Sequence, residues 1–245
     1  MRALLTDVAR TLVPPRGDRH GPLPPLMLAL TVVTGVIDAV TYLGLGKVFV
    51  ANMTGNVVFL GFALGGAVEL SALASVVSLV AFLAGALAGG RVGVRLVAHR
   101  GRLLAVSTGI HAVLMAGATL AAVIAAGIVT TPVRYVLIVL LGLGMGMQNA
   151  VARRLGVPDL TTTVLTLTLT GLAADSKSPG GSAPRPGRRV LSVLAMFLGA
   201  LVGALFVLHG QLAVALGLAL LLLMATAVTA HRLSAPDAHW APPTT

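Results

Sequence analysis

Asp38 is the residue whose type and position could most readily support chemistry, because it is the one acid deep within an apolar run. A charged side chain at the bilayer centre costs about 2.5–3.5 kcal/mol on insertion scales, so it should face the interior of a helix bundle. Thr34, Thr41 and Tyr42 share one helix face with it. The pattern predicts a proton or cation site. The alternative is a protonated acid that is hydrogen bonded to a threonine.

A second group of polar residues follows shortly after Asp38. Asn52, Thr54, Gly55 and Asn56 lie near the middle of an apolar run. Thr and Asn are good N-cap residues, and glycine permits unusual backbone angles. At the tip of a segment that enters the membrane and turns back, they would start a half-helix whose amide groups point at a solute. The alternative is a polar kink that packs against neighbouring helices.

Further polar residues lie in the central and later apolar runs. Gln148 and Asn149 fall at the position of Asp38 in an internal repeat, and they either complete a polar site without charge or bridge helices. His111 stands alone, so a packed histidine is favoured over a proton relay, and no second metal ligand lies near it. The six threonines between 161 and 170 favour helix-to-helix hydrogen bonds over the lining of a solute path.

Catalytic arrangements are missing from the sequence. It contains no nucleophile elbow, zinc-binding HExxH, phosphate loop or paired carboxylates, and it has no cysteine. We therefore expect no enzymatic activity, no cofactor and no metal. The net charge of +10 comes from basic residues in short gaps between apolar runs, without stacking aromatics, so no nucleic-acid partner is expected.

Apolar runs are the elements that must position these residues. Of the 245 residues, 57% are hydrophobic and 10% are charged, against about 25% charged in a typical soluble domain. An integral membrane protein in contact with the lipid bilayer is therefore expected. Six runs are long enough to cross it, and the second and sixth are too polar for ordinary lipid-facing helices. The eight runs are about 26–46, 48–66, 70–90, 103–127, 133–152, 160–174, 190–208 and 210–230.

The distribution of lysine and arginine predicts the topology. If the second and sixth runs enter and leave on the same side, 15 of the 17 basic residues share the side of the N-terminus, and Lys47 and Arg134 lie on the other. If all eight runs cross, the division is 10 to 7. Because basic loops favour the cytoplasm, we expect six crossing helices, two re-entrant or broken helices and both termini in the cytoplasm.

Short motifs recur along the chain and predict two inverted repeats within an all-α fold. The first copy starts inside and the second outside, an arrangement common in secondary transporters, whose sites lie at the repeat interface. The recurring motifs, at offsets of 111, 112 and 115 residues, are Gly35 with Gly146, Thr54 with Thr166, and Phe82 with Phe197.

The same features divide the chain into one transmembrane domain with flanking tails. Within the domain, a loop rich in Pro, Gly and Ser is expected to be flexible and cytoplasmic. The predicted boundaries are a basic cytoplasmic tail at 1–25, the domain at 26–231 and a C-terminal tail at 232–245. Inside the domain, the repeats span about 26–127 and 133–230, and the loop spans 176–189.

Two segments of the sequence resemble a known family. GVIDAVTYLGLGKVFVANMTGNVVFLG (35–61) and GMGMQNAVARRLGVPDLTTTVLTLTLTGLAAD (144–175) are similar to the YoaK-like family of bacterial multi-pass membrane proteins. The resemblance covers about residues 25–231. It implies a bacterial inner-membrane protein from a family without an established activity. The chain departs from the pattern at Leu167, where a glycine would correspond to Gly55.

These features favour a small secondary transporter or channel-like protein for a small polar solute or ion, with proton coupling through Asp38. The alternative is a non-transporting membrane scaffold, or a partner-binding or lipid-binding module, in which the polar residues only hold helices together. A membrane enzyme is the third interpretation and the weakest of the three. A homo-oligomer is compatible with each of them.

Overall fold

The structure is a computed structural model that describes residues 2–15, 17–160, 162, 165–174, 186–235, 238 and 240–241. This part of the chain is helical, and α2 continues as a π-helical turn at Val40–Gly44. Its nine α-helices are α1 (Arg2–Leu12), α2 (Leu23–Ala39), α3 (Met53–Leu64), α4 (Ala72–Arg95), α5 (Arg100–Ile124), α6 (Thr131–Leu155), α7 (Leu165–Ala174), α8 (Pro186–Leu208) and α9 (Leu212–Leu233).

Six helices are long and apolar enough to cross a membrane: α2 with its π-helical turn, α4, α5, α6, α8 and α9. They contain 22 to 25 residues each. At 1.5 Å per residue they are about 33 to 38 Å long, which exceeds the roughly 30 Å hydrocarbon core of a bilayer. Exposed apolar side chains such as Leu83, Leu120 and Phe197 cover their outer faces. The predicted all-α membrane fold with six crossing helices is confirmed.

The second and sixth apolar runs form short helices. Helix α3 has 12 residues and α7 has 10. Their lengths are about 18 and 15 Å, roughly half of the hydrocarbon core. Helix α3 packs against α4, and α7 packs against α8. In the described residues, neither run forms a continuous spanning helix, as the composition of the two runs predicts.

The long helices of the two halves pack against each other rather than forming separate bodies. The most extensive contacts join α4 to α6, α2 to α8 and α5 to α9. Each of these pairs takes one helix from the first half of the domain and one from the second half. Any site between the halves is therefore built by both of them.

Glycines permit the closest approaches between helices, and these approaches occur in matched pairs. A Cβ added to Gly85 of α4 would collide with the carbonyl group of Leu143 in α6. A Cβ added to Gly199 of α8 would collide in the same way with the carbonyl group of Val32 in α2. A shift of 111 residues from α2 to α6, and of 114 from α4 to α8, converts one contact into the other.

In a second matched pair of contacts, the glycines lie on α6 and α2 and the carbonyl oxygens on α4 and α8. A Cβ added to Gly146 of α6 would collide with the carbonyl oxygen of Phe82 in α4, and one added to Gly35 of α2 would collide with that of Met196 in α8. The same two shifts relate these contacts. These shifts pair Phe82 with Met196. The sequence motif instead aligns Phe82 with Phe197, one residue later. Because close helix packing requires small residues, these glycines have a structural role.

The segments before and after the transmembrane helices, with α1 and Ala241, pack at one end of the bundle. The guanidinium of Arg100 donates a hydrogen bond to the carbonyl oxygen of Leu155 at 2.7 Å, and the Arg100 backbone amide donates to the carbonyl oxygen of Ala241 at 2.7 Å. The carboxylate of Asp7 in α1 accepts a hydrogen bond from the amide of Gly187 at the start of α8, at 2.9 Å. The start of α5, the end of α6 and the start of α8 therefore share this end.

The opposite end contains Lys47 and Arg134. The guanidinium of Arg134, near the start of α6, lies 3.2 Å from where a Cβ of Gly46 would be, next to Lys47. From Thr131, helix α6 extends about 36 Å before it reaches Leu155 at the other end. The two basic residues that the topology argument separates from the other fifteen therefore share one end.

The predicted N-terminal tail contains the helix α1. Its Leu5 and Leu12 are exposed, whereas Thr11 is buried. Asp7 accepts hydrogen bonds from two successive amides at the start of α8, which fixes α1 to the transmembrane bundle. An acidic side chain at the N-terminus of a helix is stabilised by the free amide groups and by the helix dipole.

Candidate functional site

The chain turns back into the protein at Gly46 and Lys47, about two helical turns after Asp38. Helix α2 changes from α-helical to π-helical geometry at Val40–Gly44. Gly46 and Lys47 then take positive φ angles of 91° and 57°. Such angles are easy for glycine and uncommon for lysine, so they mark a sharp turn. Residues 48–51 then re-enter the hydrophobic core.

Asp38 is 7% exposed. Its Oδ1 is buried without a hydrogen-bond partner in the described part of the chain. The hydroxyl of Thr34 donates to the carbonyl oxygen of Leu30 at 2.9 Å, and that of Thr41 donates to the backbone oxygen of Asp38 at 3.3 Å. Among the described residues, no hydrogen bond joins the Asp38 carboxyl group to either threonine.

Asn56 is fully buried, and its side chain is bonded within the protein. Its Oδ1 accepts a hydrogen bond from the amide of Phe49 at 2.9 Å, and its Nδ2 donates to the carbonyl oxygen of Phe49 and to Oγ of Ser78 at 3.1 Å. Ser78 of α4 also donates to the Phe49 carbonyl oxygen at 2.6 Å. These contacts fasten the re-entering segment to α3 and α4. They give Asn56 a structural role.

The other residues of the predicted tip lie at the start of α3. Asn52 is exposed and caps the helix, because its Oδ1 accepts a hydrogen bond from the amide of Gly55 at 3.4 Å. Thr54 is exposed in the first turn. A Cβ on Gly55 would lie 2.9 Å from the ring of Phe49, so the glycine leaves room for this ring. A short helix therefore starts here, but its N-cap is Asn52, and the predicted cap residues Thr54 and Asn56 lie within the helix.

Gln148 of α6 reaches the same face of α2 that carries Asp38. Its Nε2 donates to Oγ1 of Thr34 at 3.0 Å and to the carbonyl oxygen of Leu30 at 3.4 Å. Asn149 is half-buried, and its Nδ2 donates to the carbonyl oxygen of Met145 in its own helix at 2.9 Å. Of the two residues at the repeat position of Asp38, Gln148 therefore bridges to α2, and Asn149 bonds along its own helix.

An aromatic cluster beside the site was not anticipated from the sequence. The ring of Phe49 stacks on that of Tyr42, with centroids 5.0 Å apart, and on that of Phe59 at 5.7 Å. The three residues come from the π-helical turn, the re-entering segment and α3. The sequence does contain an indication of this cluster, because three aromatic residues lie within 18 residues in a chain that has few aromatic residues.

The second half places a buried threonine where the first half has Asn56. Thr168 of α7 is buried and follows Asn56 by 112 residues, the offset of the sequence motif. Leu167 is exposed at the position that corresponds to Gly55. Thr162, Thr166 and Thr170 are also described, whereas Thr161, Thr163 and most of the predicted loop 176–189 lie outside the described residues.

Asp38 and Asn149 lie at similar distances from an end of the bundle, but each is near a different end. Asp38 lies six residues before Gly44, about 9 Å from the end of its span, and Asn149 lies six residues before Leu155, about 9 Å from the other end. The first position carries an acid and the second carries an amide. Asp38 can hold a proton, a cation or a donor group of a solute at its unpartnered oxygen.

The fold and this site define a class: a multi-pass helical membrane protein with six long apolar helices, two short helices and a buried acid near the end of the first long helix. Residues 26–229 match the family model described as "Protein of unknown function (DUF1275)". The chain belongs to this family.

A relative of this chain is the "UPF0700 transmembrane protein YoaK" of Bacillus subtilis (strain 168), to which it is 33% identical over 152 residues. The match covers 61% of this chain and 65% of the relative, slightly less than two thirds of its length. No solved structure matches the chain. The resemblance to the YoaK-like family is therefore confirmed.

Proposed function

We propose that this protein is a small secondary transporter or channel-like protein that moves a small polar solute or ion across the bacterial inner membrane. Asp38 is the group that carries the proton or selects the charge. The observation that supports this role is its buried Oδ1, which has no partner among the described residues and lies six residues before Gly44, the end of the first span, after which the chain turns back into the protein. Broken helices near a buried ionisable group are a recurring design of transport sites.

We infer that the two halves are inverted repeats. The matched glycine contacts support this relation, because one pair of shifts converts each contact between α2 and α8 into a contact between α6 and α4. The similar depths of Asp38 and Asn149, measured from opposite ends, also support it. In this arrangement, rocking of one half against the other would expose the site to each side in turn.

We assign the end that carries Arg100 and both flanking segments to the cytoplasm. Fifteen of the 17 basic residues belong to the segments that we place there, and basic loops are retained on the cytoplasmic side. Lys47 and Arg134 then lie outside. With this orientation, Asp38 lies in the outer half of the membrane, beneath the segment that joins α2 to α3.

The scaffold alternative is supported by the polar residues that are satisfied within the protein. Asn56 is bonded to Phe49 and Ser78, and Gln148 is bonded to Thr34. Such hydrogen bonds hold helices together without any transport. Asp38 differs from these residues, because its buried Oδ1 has no hydrogen-bond partner among the described residues.

Access of water to Asp38 tests the proposal. The chain has no native cysteine, so Asp38→Cys and the matched buried control Ile37→Cys can each be treated with a small, water-soluble thiol reagent in liposomes. A transporter exposes position 38 during its cycle, and we expect labelling of the first variant but not of the second. Equal absence of labelling in both variants would support a scaffold.

A further inference from the structure

A second polar site lies in the half of the bundle nearer to the Arg100 end, where α2, α5 and α6 meet. A cavity of about 10 Å³ is lined there by polar groups of Ser107, Thr108, His111 and Gln148, and by apolar side chains. This is close to the smallest volume that holds one water molecule. Since a water needs two to four polar partners, the lining as well as the volume suits it.

The ring of His111 is set into a recess of α6. His111 is 1% exposed, and it lies so close to Gly144 that any Cβ on that residue would collide with the imidazole. It faces the carboxamide of Gln148. Neither ring nitrogen has a hydrogen-bond partner among the described residues. A neutral imidazole has one donor and one acceptor, and burial of both without partners is unfavourable.

The orientation of Gln148 leaves its oxygen available to the cavity. Because Nε2 is directed to Thr34 and to the Leu30 carbonyl oxygen, Oε1 must point elsewhere. In the part of the chain that the structure describes, this buried Oε1 has no partner either. Two ring nitrogens and one amide oxygen therefore lack partners around a cavity of the size of one water.

We propose that this cavity binds one water molecule, which hydrogen bonds to His111 and Gln148, and that His111 is a second protonatable group on the path to Asp38. The second part rests on the proposed function. Thr34, to which Gln148 is bonded, precedes Asp38 by one helical turn, about 6 Å. The water relays a proton that arrives from the solvent: it accepts this proton while one of its own O–H bonds breaks and an N–H bond forms on the accepting nitrogen of His111. Release reverses both exchanges, so the water and the imidazole are unchanged after a full cycle.

Few charged groups are near enough to compete with this role. Among the described residues that line the cavity, His111 is the one titratable side chain. From α2 the cavity meets Met27 and Leu30, and from α6 it meets Gln148, Val151 and Ala152. Asp38 is the acid nearest along α2, one turn beyond Thr34.

Hydration of His111 can be measured without any transport assay. The protein with ¹⁵N-labelled histidine rings is placed in lipid nanodiscs, and the His111 signals are assigned by their loss in His111→Leu. We expect magnetisation transfer between water and the His111 ring, and exchange of its N–H with deuterium. A His111 ring without any contact to water would overturn the inference.

Flux measurements test the role of the proton. We expect His111→Leu to lower proton-linked flux by about 100-fold, the scale of a well-positioned proton donor, and the buried control Met115→Leu on the same helix to retain it. Wild-type flux in His111→Leu, together with a raised melting temperature, would show a merely packed histidine and overturn the role.

A further variant separates folding from protonation. His111→Gln keeps a donor and an acceptor but cannot become charged, so we expect it to fold, to retain the water and to lose the pH dependence of flux. Retained pH dependence would contradict the role of His111. If the wild-type protein moves no solute, the proposed function fails, and the NMR experiment still decides on the water site.

Discussion

The side chain of Asn56 forms two hydrogen bonds with the backbone of Phe49, one to its carbonyl oxygen and one from its amide. An asparagine side chain here replaces the backbone partner that a regular helix or sheet would supply. Backbone groups at membrane depth must be satisfied within the protein, because lipid offers no hydrogen bonds. Asn56 therefore makes the non-helical segment between the π-helical turn and α3 tolerable in a membrane.

Replacement of Asn56 tests this role. In Asn56→Ala the amide of Phe49 loses its partner and the carbonyl oxygen of Phe49 keeps only Ser78, so we expect the free energy of unfolding to fall by about 1–3 kcal/mol. Asn52→Ala is the matched control, because it removes an exposed cap and should cost about 1 kcal/mol or less. Thermal unfolding in detergent measures both. Equal stability of the two variants would contradict the assigned role.

The sequence predicts the long elements well, because membrane insertion depends on local composition. Hydropathy and the distribution of basic residues predict six long helices and two short ones, and polar residues such as Asn52 and Thr54 mark the first break. Helix α1 is harder to predict. Isolated helices of 11 residues are marginal in water, and the contacts of α1 with α8 depend on tertiary packing.

Neighbouring glycines of α4 give a test of the close packing. A Cβ at Gly89 would lie 2.9 Å from the carbonyl oxygen of Met147, whereas one at Gly90 meets nothing within 4 Å. We expect Gly89→Ala to destabilise the protein by about 1–3 kcal/mol and Gly90→Ala to be neutral or to stabilise it by up to about 1 kcal/mol.

The same test examines the relation between the halves. Gly203 of α8 has the position of Gly89, since a Cβ there would lie 2.9 Å from the carbonyl oxygen of Val36. If the halves are repeats, Gly203→Ala should match Gly89→Ala in direction and approximate size. A neutral Gly203→Ala would argue against equivalent interfaces. Melting temperatures of the purified variants provide the comparison.

Single cysteines test the orientation in the membrane. We expect Lys47→Cys and Arg134→Cys to react with an impermeant thiol reagent added outside intact cells, and Ala98→Cys, in the segment between α4 and α5, to react only after the membrane is opened. The reason is the retention of basic loops in the cytoplasm. Labelling of Ala98→Cys from outside would reverse the proposed orientation.

The polar site is less predictable than the helices, because it depends on which helix faces meet. The spacing of Thr34 and Asp38 predicts that they share a face, and the structure places them there. No local pattern shows that Gln148 reaches Thr34, 114 residues away, or that Ser78 supports Asn56. The sequence favours a packed His111 because the residue stands alone in its apolar run, and its neighbours across α6 and α2 cannot be identified from one sequence.

Proton-linked flux through Asp38→Asn is the most direct test of the account. The purified protein is reconstituted in liposomes with an internal pH dye, and uptake of small polar solutes and ions is measured across a range of pH. Glu69→Gln is the control, because Glu69 is exposed on the loop before α4. We expect Asp38→Asn to fold normally and to lose pH-dependent flux, while Glu69→Gln retains it. Unchanged pH-dependent flux in Asp38→Asn would contradict the central role of this carboxylate.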